Sequence, residues 1–146
     1  MNLLNFELFN LEDVDEKWLE EYSCSKNNKR LEDYLKLDAH HDILNLISQT
    51  HVLLDTSNDN IVGYFTLSFN WMKFKKEEKK KLEIKKLNHY DGHYPTVILN
   101  FFGMDDKYKG QVIEGTDVKY STLLMVYFFS ETYTVLKKVP FSIINL

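Results

Sequence analysis

Cysteine is almost missing: Cys24 is the only one among 146 residues, which excludes an intrachain disulfide and a thiolate metal cluster and fits a reduced, cytoplasmic setting. Two prolines and five glycines form no linker-like tract, and no repeat or low-complexity block divides the chain. Long apolar runs are missing too. The longest, Leu123 to Phe129, falls far short of the roughly 20 residues a membrane-spanning helix needs. Met1 to Asn10 carries Glu7 and lacks the basic start of a secretion signal. These absences point to one domain over residues 1–146 with no place in a membrane, and 44% apolar content is enough for one core.

What is present is unevenly spread. The net charge is −4, yet Lys73 to Lys86 holds eight lysines against three glutamates, so the remaining residues carry ten basic and nineteen acidic side chains. Positive charge is therefore local, unlike that of a protein coated in nucleic acid. The bland reading of the lysine segment is a solvated helix or loop face; the sharper one is a grip on a phosphate backbone.

Asn5 to Leu11 alternates apolar and polar residues and predicts a first strand, and Asp13 to Tyr22 predicts a short helix capped by Asp13. Leu31, Tyr34, Leu35, Ala39, Ile43, Leu46 and Ile47 recur at three and four residues, the clearest helical pattern in the chain. Thr50 to Asp55 and Ile61 to Ser68, joined by the turn formers Thr56 to Asn60, read as an antiparallel hairpin. A further strand is expected over Tyr94 to Met104, a polar loop over Asp105 to Thr116, a helix over Ser121 to Lys138 and a last strand over Phe141 to Leu146. Tyr127, Phe128, Phe129 and Tyr133 belong on the core side of that helix or in an interface. Strands alternate with helices only near the end, so a mixed sheet covered by helices is expected.

In this order, Leu31 to Ala39, Thr50 to Asp55, Ile61 to Ser68, Pro95 to Asp105 and Tyr108-Lys-Gly resemble the GNAT family of acetyltransferases over Asn28 to Leu146. The resemblance implies an α/β fold: a mixed, mainly antiparallel sheet flanked by helices, without the usual C-terminal helix and strands. It also implies transfer of an acetyl group from acetyl-CoA to a primary amine, with no metal. Phe102, Gly103 and Met104 would pair with the pantetheine arm through free backbone groups, and a loop at a helix N-terminus would hold the pyrophosphate. Aligning Lys109 with the start of the family's loop motif puts Val112 and Glu114 where its glycines belong. Aligning Leu123-Leu124 with the family's leucine pair instead makes Gln111 to Val118 an insertion, and Lys119, Tyr120, Ser121 and Thr122 the turn. The second placement is preferred, so the cofactor set is Phe102, Gly103, Met104, Gln111, Gly115, Lys119, Tyr120, Ser121 and Thr122.

The family's acid, a tyrosine beyond the fifth strand, has no matching position, so no catalytic residue is assigned. Asp105 and Glu114 are conceivable bases, against the bland reading of solvated loop carboxylates. His89 and His93 flank Asp91-Gly92, His40 and His41 face different ways, and neither pair is expected to hold a metal. Cys24 is read as a small apolar residue. The expected partners are a small-molecule or protein amine and a second copy meeting it through Phe141 to Leu146; nucleic acid is not expected among them. The rival readings are a non-catalytic GNAT-like domain that binds CoA or a protein, and a nucleic-acid-associated protein, such as an acetyltransferase of charged tRNA, that uses the lysine segment.

Overall fold

In the computed structural model, the structure describes residues 5–73, 75–81 and 93–138. The predicted strand Phe141 to Leu146, His89, and Phe74 and residues 82–86 of the lysine segment lie outside those residues.

Among the described residues a four-stranded antiparallel sheet runs in the order β1 (Phe6–Asn10), β2 (Gln49–Asp55), β3 (Asn60–Lys73) and β4 (His93–Met104). Alternation and turn chemistry build it. The β2–β3 turn closes through Asp55, whose carboxylate accepts from the Ser57 N–H at 3.1 Å and the Ser57 hydroxyl at 2.6 Å. Between β1 and β2 lie α1 (Glu16–Glu21), capped by the Asp15 carboxylate accepting from the Lys17 N–H at 2.9 Å, then α2 (Ser25–Asp33) and α3 (Ala39–Leu44). A short α4 (Lys76–Lys81) carries part of the lysine segment, and α5 (Tyr120–Lys138) follows β4.

The helix expected to run from Leu31 to Ser48 is divided. A π turn, Tyr34–Asp38, joins α2 to α3, and the extra residue in its hydrogen-bonded rings rephases the helix beyond it. Leu35 and Ala39 are buried, but the helix stops at Leu44 and Leu46 takes a left-handed φ of 57°. Leu46 is 92% exposed, so neither it nor Ile47 belongs to the core as the spacing suggests.

Each sheet face has its own core. Leu11, Leu19, Tyr22, Leu35, Val52 and Tyr64 pack beneath the N-terminal helices. On the opposite face α5 sets Leu123 and Leu124, with Tyr127 and Phe128 one turn on, against Leu53, Val62, Phe65 and Leu67. Phe129 and Tyr133 point outward instead, so only half of that aromatic run is core.

Two glycines hold these layers together. Gly63 pairs with Met104 and Tyr64 with Gly103. A Cβ on Gly63 would lie 2.5 Å from the Gly103 carbonyl oxygen and 2.8 Å from Leu124 Cδ2; one on Gly103 would meet the Tyr64 ring at 2.6 Å and the Tyr22 hydroxyl at 2.8 Å. Backbone cannot move aside as a long side chain can. Gly63→Ala should therefore cost about 2 kcal/mol or more in denaturant unfolding, and an unchanged midpoint would mean that this contact constrains nothing.

Candidate functional site

Strand β4 lies at the end of the described sheet, paired on one side with β3. That pairing slips once: Leu67 faces Leu99 and Thr66 faces Phe101, which makes Asn100 an extra residue in β4. A bulge of this kind bends the strand and turns backbone groups out of the ladder. From there the chain passes through Phe101 to Met104 into residues 105–119 and then into the first turn of α5.

Phe102 and Met104 face α5, whereas Gly103 faces Tyr22 and Tyr64. Its missing side chain is thus accounted for by the packing of two tyrosines. Beyond β4, Val112 and Lys119 form a bridge, and the Tyr120 N–H donates to the Gln111 carbonyl at 3.1 Å. Residues 113–118 are therefore an excursion that leaves and returns at one place, with Gly115 at its tip in the left-handed region (φ 77°). The other left-handed glycine of the loop is Gly110, while Val112 and Glu114 are not in that region, so the geometry gives no support to placing motif glycines at 112 and 114. The structure brings Gln111, Lys119, Tyr120, Ser121 and Thr122 together at the helix start and sets Gly115 at the far end of the excursion.

A helix leaves its first N–H groups without intrahelical partners. Here Tyr120's goes to Gln111, and those of Thr122 and Leu123 go to the Lys119 carbonyl at 3.0 and 3.1 Å. Ser121 is the first-turn residue whose N–H these bonds do not use. An anion at this end also meets the positive end of a 19-residue helix.

Asp105 is no base. It is 1% exposed, its Oδ1 accepts from the Lys107 N–H at 2.7 Å and its Oδ2 from the Ser23 N–H at 3.0 Å, while the Asp106 N–H donates to the Ser23 carbonyl at 2.7 Å. These bonds clasp the start of the loop to the α1–α2 connection. Tyr108 secures its middle: burial pushes the phenol up to about 12, and its hydroxyl donates to Asp55 Oδ2 at 3.2 Å. Glu114 is exposed on the excursion. Cys24 is buried, and burial raises its thiol, which leaves little thiolate.

A pair that the sequence does not suggest lies beside the bulge. The Tyr34 ring stacks on Phe101 at 3.9 Å, and its hydroxyl donates to Asp42 Oδ2 at 2.9 Å with Ser48 Oγ 3.2 Å away. Burial raises the phenol, keeping its proton on oxygen. Tyr34 and Asp42 are eight apart in sequence and meet across the π turn, a spacing that no helical motif marks. Elsewhere, His51 lines a cavity of about 380 Å³ with Glu131. Burial pushes its imidazole below the ordinary histidine value, with the Glu131 carboxylate opposing. Among the described residues, no three His, Cys, Asp or Glu side chains are grouped to hold a metal, and no helix is long and apolar enough to cross a membrane.

No family profile matches the chain, and no curated protein matches its sequence. Solved structures do match its shape. A tyrosine-to-phenylalanine mutant of KacT superposes with a TM-score of 0.66 at 17% identity, over 93% of this chain and 74% of that one. AtaT complexed with acetyl-methionyl-tRNAfMet gives 0.64 at 17% identity, over 91% of this chain and 72% of that one. AtaTR bound with AcCoA gives 0.64 at 17%, over 93% of this chain and 73% of that one. The likeness establishes the fold: this chain has the GNAT-like α/β architecture expected from its sequence. It also corrects one expectation. Nucleic acid cannot be set aside as a partner when a protein of this fold is complexed with a transfer RNA.

Two measurements test these assignments. Asp105→Ala removes the acceptor of two backbone N–H groups and should cost about 3 kcal/mol of stability, whereas a well-folded variant that had lost only activity would restore Asp105 as a base. For His51 the sign follows from its lowered value. As pH falls below about 6.5 the unfolded chain takes up a proton that the folded one refuses, so stability declines toward acid. Melting temperatures between pH 7.5 and 5.5 should fall less in His51→Gln than in the parent, and equal slopes would contradict the burial argument.

Proposed function

We propose that this GNAT-fold chain is an acetyl-CoA-dependent N-acetyltransferase in a cytoplasmic setting, and that the amine it acetylates is carried on a transfer RNA. The observation that carries the first part is the continuity from the Asn100 bulge through the outer edge of β4 to the N-terminus of α5. An amide-bearing arm ending in a pyrophosphate needs those two things in that order: unpaired backbone groups along a strand, then an anion site at a helix start. The second part is supported by the AtaT complex with acetyl-methionyl-tRNAfMet.

Acetyl-CoA supplies an acetyl group activated as a thioester. Phe102, Gly103 and Met104 offer backbone groups to its pantetheine arm, and Lys119, Tyr120, Ser121 and Thr122 surround its pyrophosphate. Gln111 holds the turn in place through its bond from Tyr120. Gly115, at the excursion's tip, keeps the loop closed and has no contact role in this reading. A backbone N–H freed at the bulge is suited to steady the oxyanion formed when the amine attacks the thioester carbonyl. A C–N bond forms, the C–S bond breaks, and the proton lost by the amine is matched by the one gained by the CoA thiol. Asp42 accepts from the hydroxyl of Tyr34, whose ring stacks on Phe101, and this carboxylate is suited to attract the ammonium and take its proton.

Calorimetry with acetyl-CoA, then free-thiol release with aminoacylated and deacylated tRNA, tests the reading. Micromolar binding is expected, with thiol released only when the tRNA is aminoacylated. Ser121→Asp sets a carboxylate against the pyrophosphate and should weaken binding at least tenfold. Binding with no thiol release would make this a non-catalytic CoA-binding domain, and no binding heat at millimolar ligand would sink both readings.

A further inference from the structure

Strand β3 outruns the sheet. Its pairing with β2 ends at Leu67, opposite Gln49, but its pairing with β4 continues to Lys73, opposite His93. Residues 68–73 and 93–98 thus form a two-stranded ribbon beyond the sheet. One of its faces carries Phe69, Trp71 and Lys73, paired in turn with Val97, Pro95 and His93. Phe69 is 52% and Trp71 49% exposed, a large apolar outlay for a surface hairpin, and with Asn70 and Pro95 they line a shallow depression of about 290 Å³. The two aromatic positions are about 6.8 Å apart along the strand, on the order of two stacked rings.

Charge selects the occupant. The lysine segment begins on this ribbon at Lys73, and Lys75, Lys76 and Lys80 are exposed just beyond it. Glu78 partly offsets them while serving its own helix, since its carboxylate accepts from the Lys75 N–H at 2.9 Å. From Lys73 to Lys81 six lysines stand against two glutamates, in a chain whose net charge is −4. An apolar peptide would use the aromatic face and gain nothing from the lysines. A partner that is both polyanionic and rich in flat rings uses both.

We propose that the β3–β4 ribbon is a stacking platform for unpaired nucleotides of an RNA, with Phe69 and Trp71 beneath the bases and Lys73, Lys75, Lys76 and Lys80 along the phosphates. The assignment rests on the RNA part of the proposed function and adds the surface that would hold the strand. A duplex keeps its bases stacked on one another, so the platform favours single strands.

Fluorescence anisotropy with a labelled 12-nucleotide single-stranded RNA and a 12-base-pair RNA duplex tests this at several salt concentrations. The single strand should bind at least fivefold more tightly. Phe69→Ala with Trp71→Ala should weaken it about tenfold or more and leave the salt slope unchanged. Lys75→Gln with Lys76→Gln and Lys80→Gln should weaken both RNAs and flatten the slope by about 2. Both aromatics are about half buried, so the melting curve of the double variant is read first and its affinity is compared only in the folded protein. Parental affinity in the folded double variant, or no binding to the single strand, would overturn the platform. So would light scattering in which the parent is a dimer and the double variant a monomer, since the ribbon would then join copies of this chain. Acetyl-CoA calorimetry on the same variants separates the two readings: RNA binding without acetyl-CoA binding would leave the platform standing and remove the transferase.

Discussion

Everything at the candidate site depends on how closely β3 and β4 approach at Gly63 and Gly103. With no side chain at Gly63, Leu124 packs directly over the strand pair, and this brings the start of α5 down beside the end of β4. With none at Gly103, the rings of Tyr64 and Tyr22 close over the other face. The Tyr64 hydroxyl then donates to the Leu31 carbonyl at 2.6 Å, tying the N-terminal helices to the same point. A methyl group at either position would push these closely packed layers apart. The glycines thus serve packing first, and the site inherits its geometry from that packing.

Around this contact the loop after β4 is held by bonds made to distant parts of the chain. Asp105 reaches Ser23 and Tyr108 reaches Asp55, so the α1–α2 connection and the β2–β3 turn both grip it. A loop held this way presents the helix start in one orientation, which lowers the ordering cost of binding an extended ligand. The bulge at Asn100 adds to this by bending β4 where the strand leaves the regular ladder.

Much of the fold is legible in the sequence because its elements obey local rules. β4 spans His93–Met104 against an expected Tyr94 to Met104, and α5 spans Tyr120–Lys138 against an expected Ser121 to Lys138. Leu123, Leu124, Tyr127 and Phe128 repeat at one helical turn, which settles in favour of a helix a segment whose composition also suits a strand. The site is less legible. The π turn leaves no compositional trace, so the spacing of Leu46 and Ile47 points to a core they do not join, and nothing in the sequence marks the pairing of Tyr34 with Asp42. Asp105 looks like a candidate base because sequence shows a carboxylate but not the two backbone N–H groups that occupy it. The fold likeness to a tRNA-bound protein bears on a different point, the expectation that nucleic acid is not among the partners, which nothing in the composition could have corrected.

The central claim is that one continuous surface, from the bulge in β4 to the first turn of α5, receives acetyl-CoA. Amide hydrogen exchange with and without the cofactor reads that surface residue by residue. The account predicts added protection at residues 100–104 and 119–122, with β1 and β2 unchanged. Protection confined to other segments, such as the cavity around His51, or none at a saturating concentration, would contradict it.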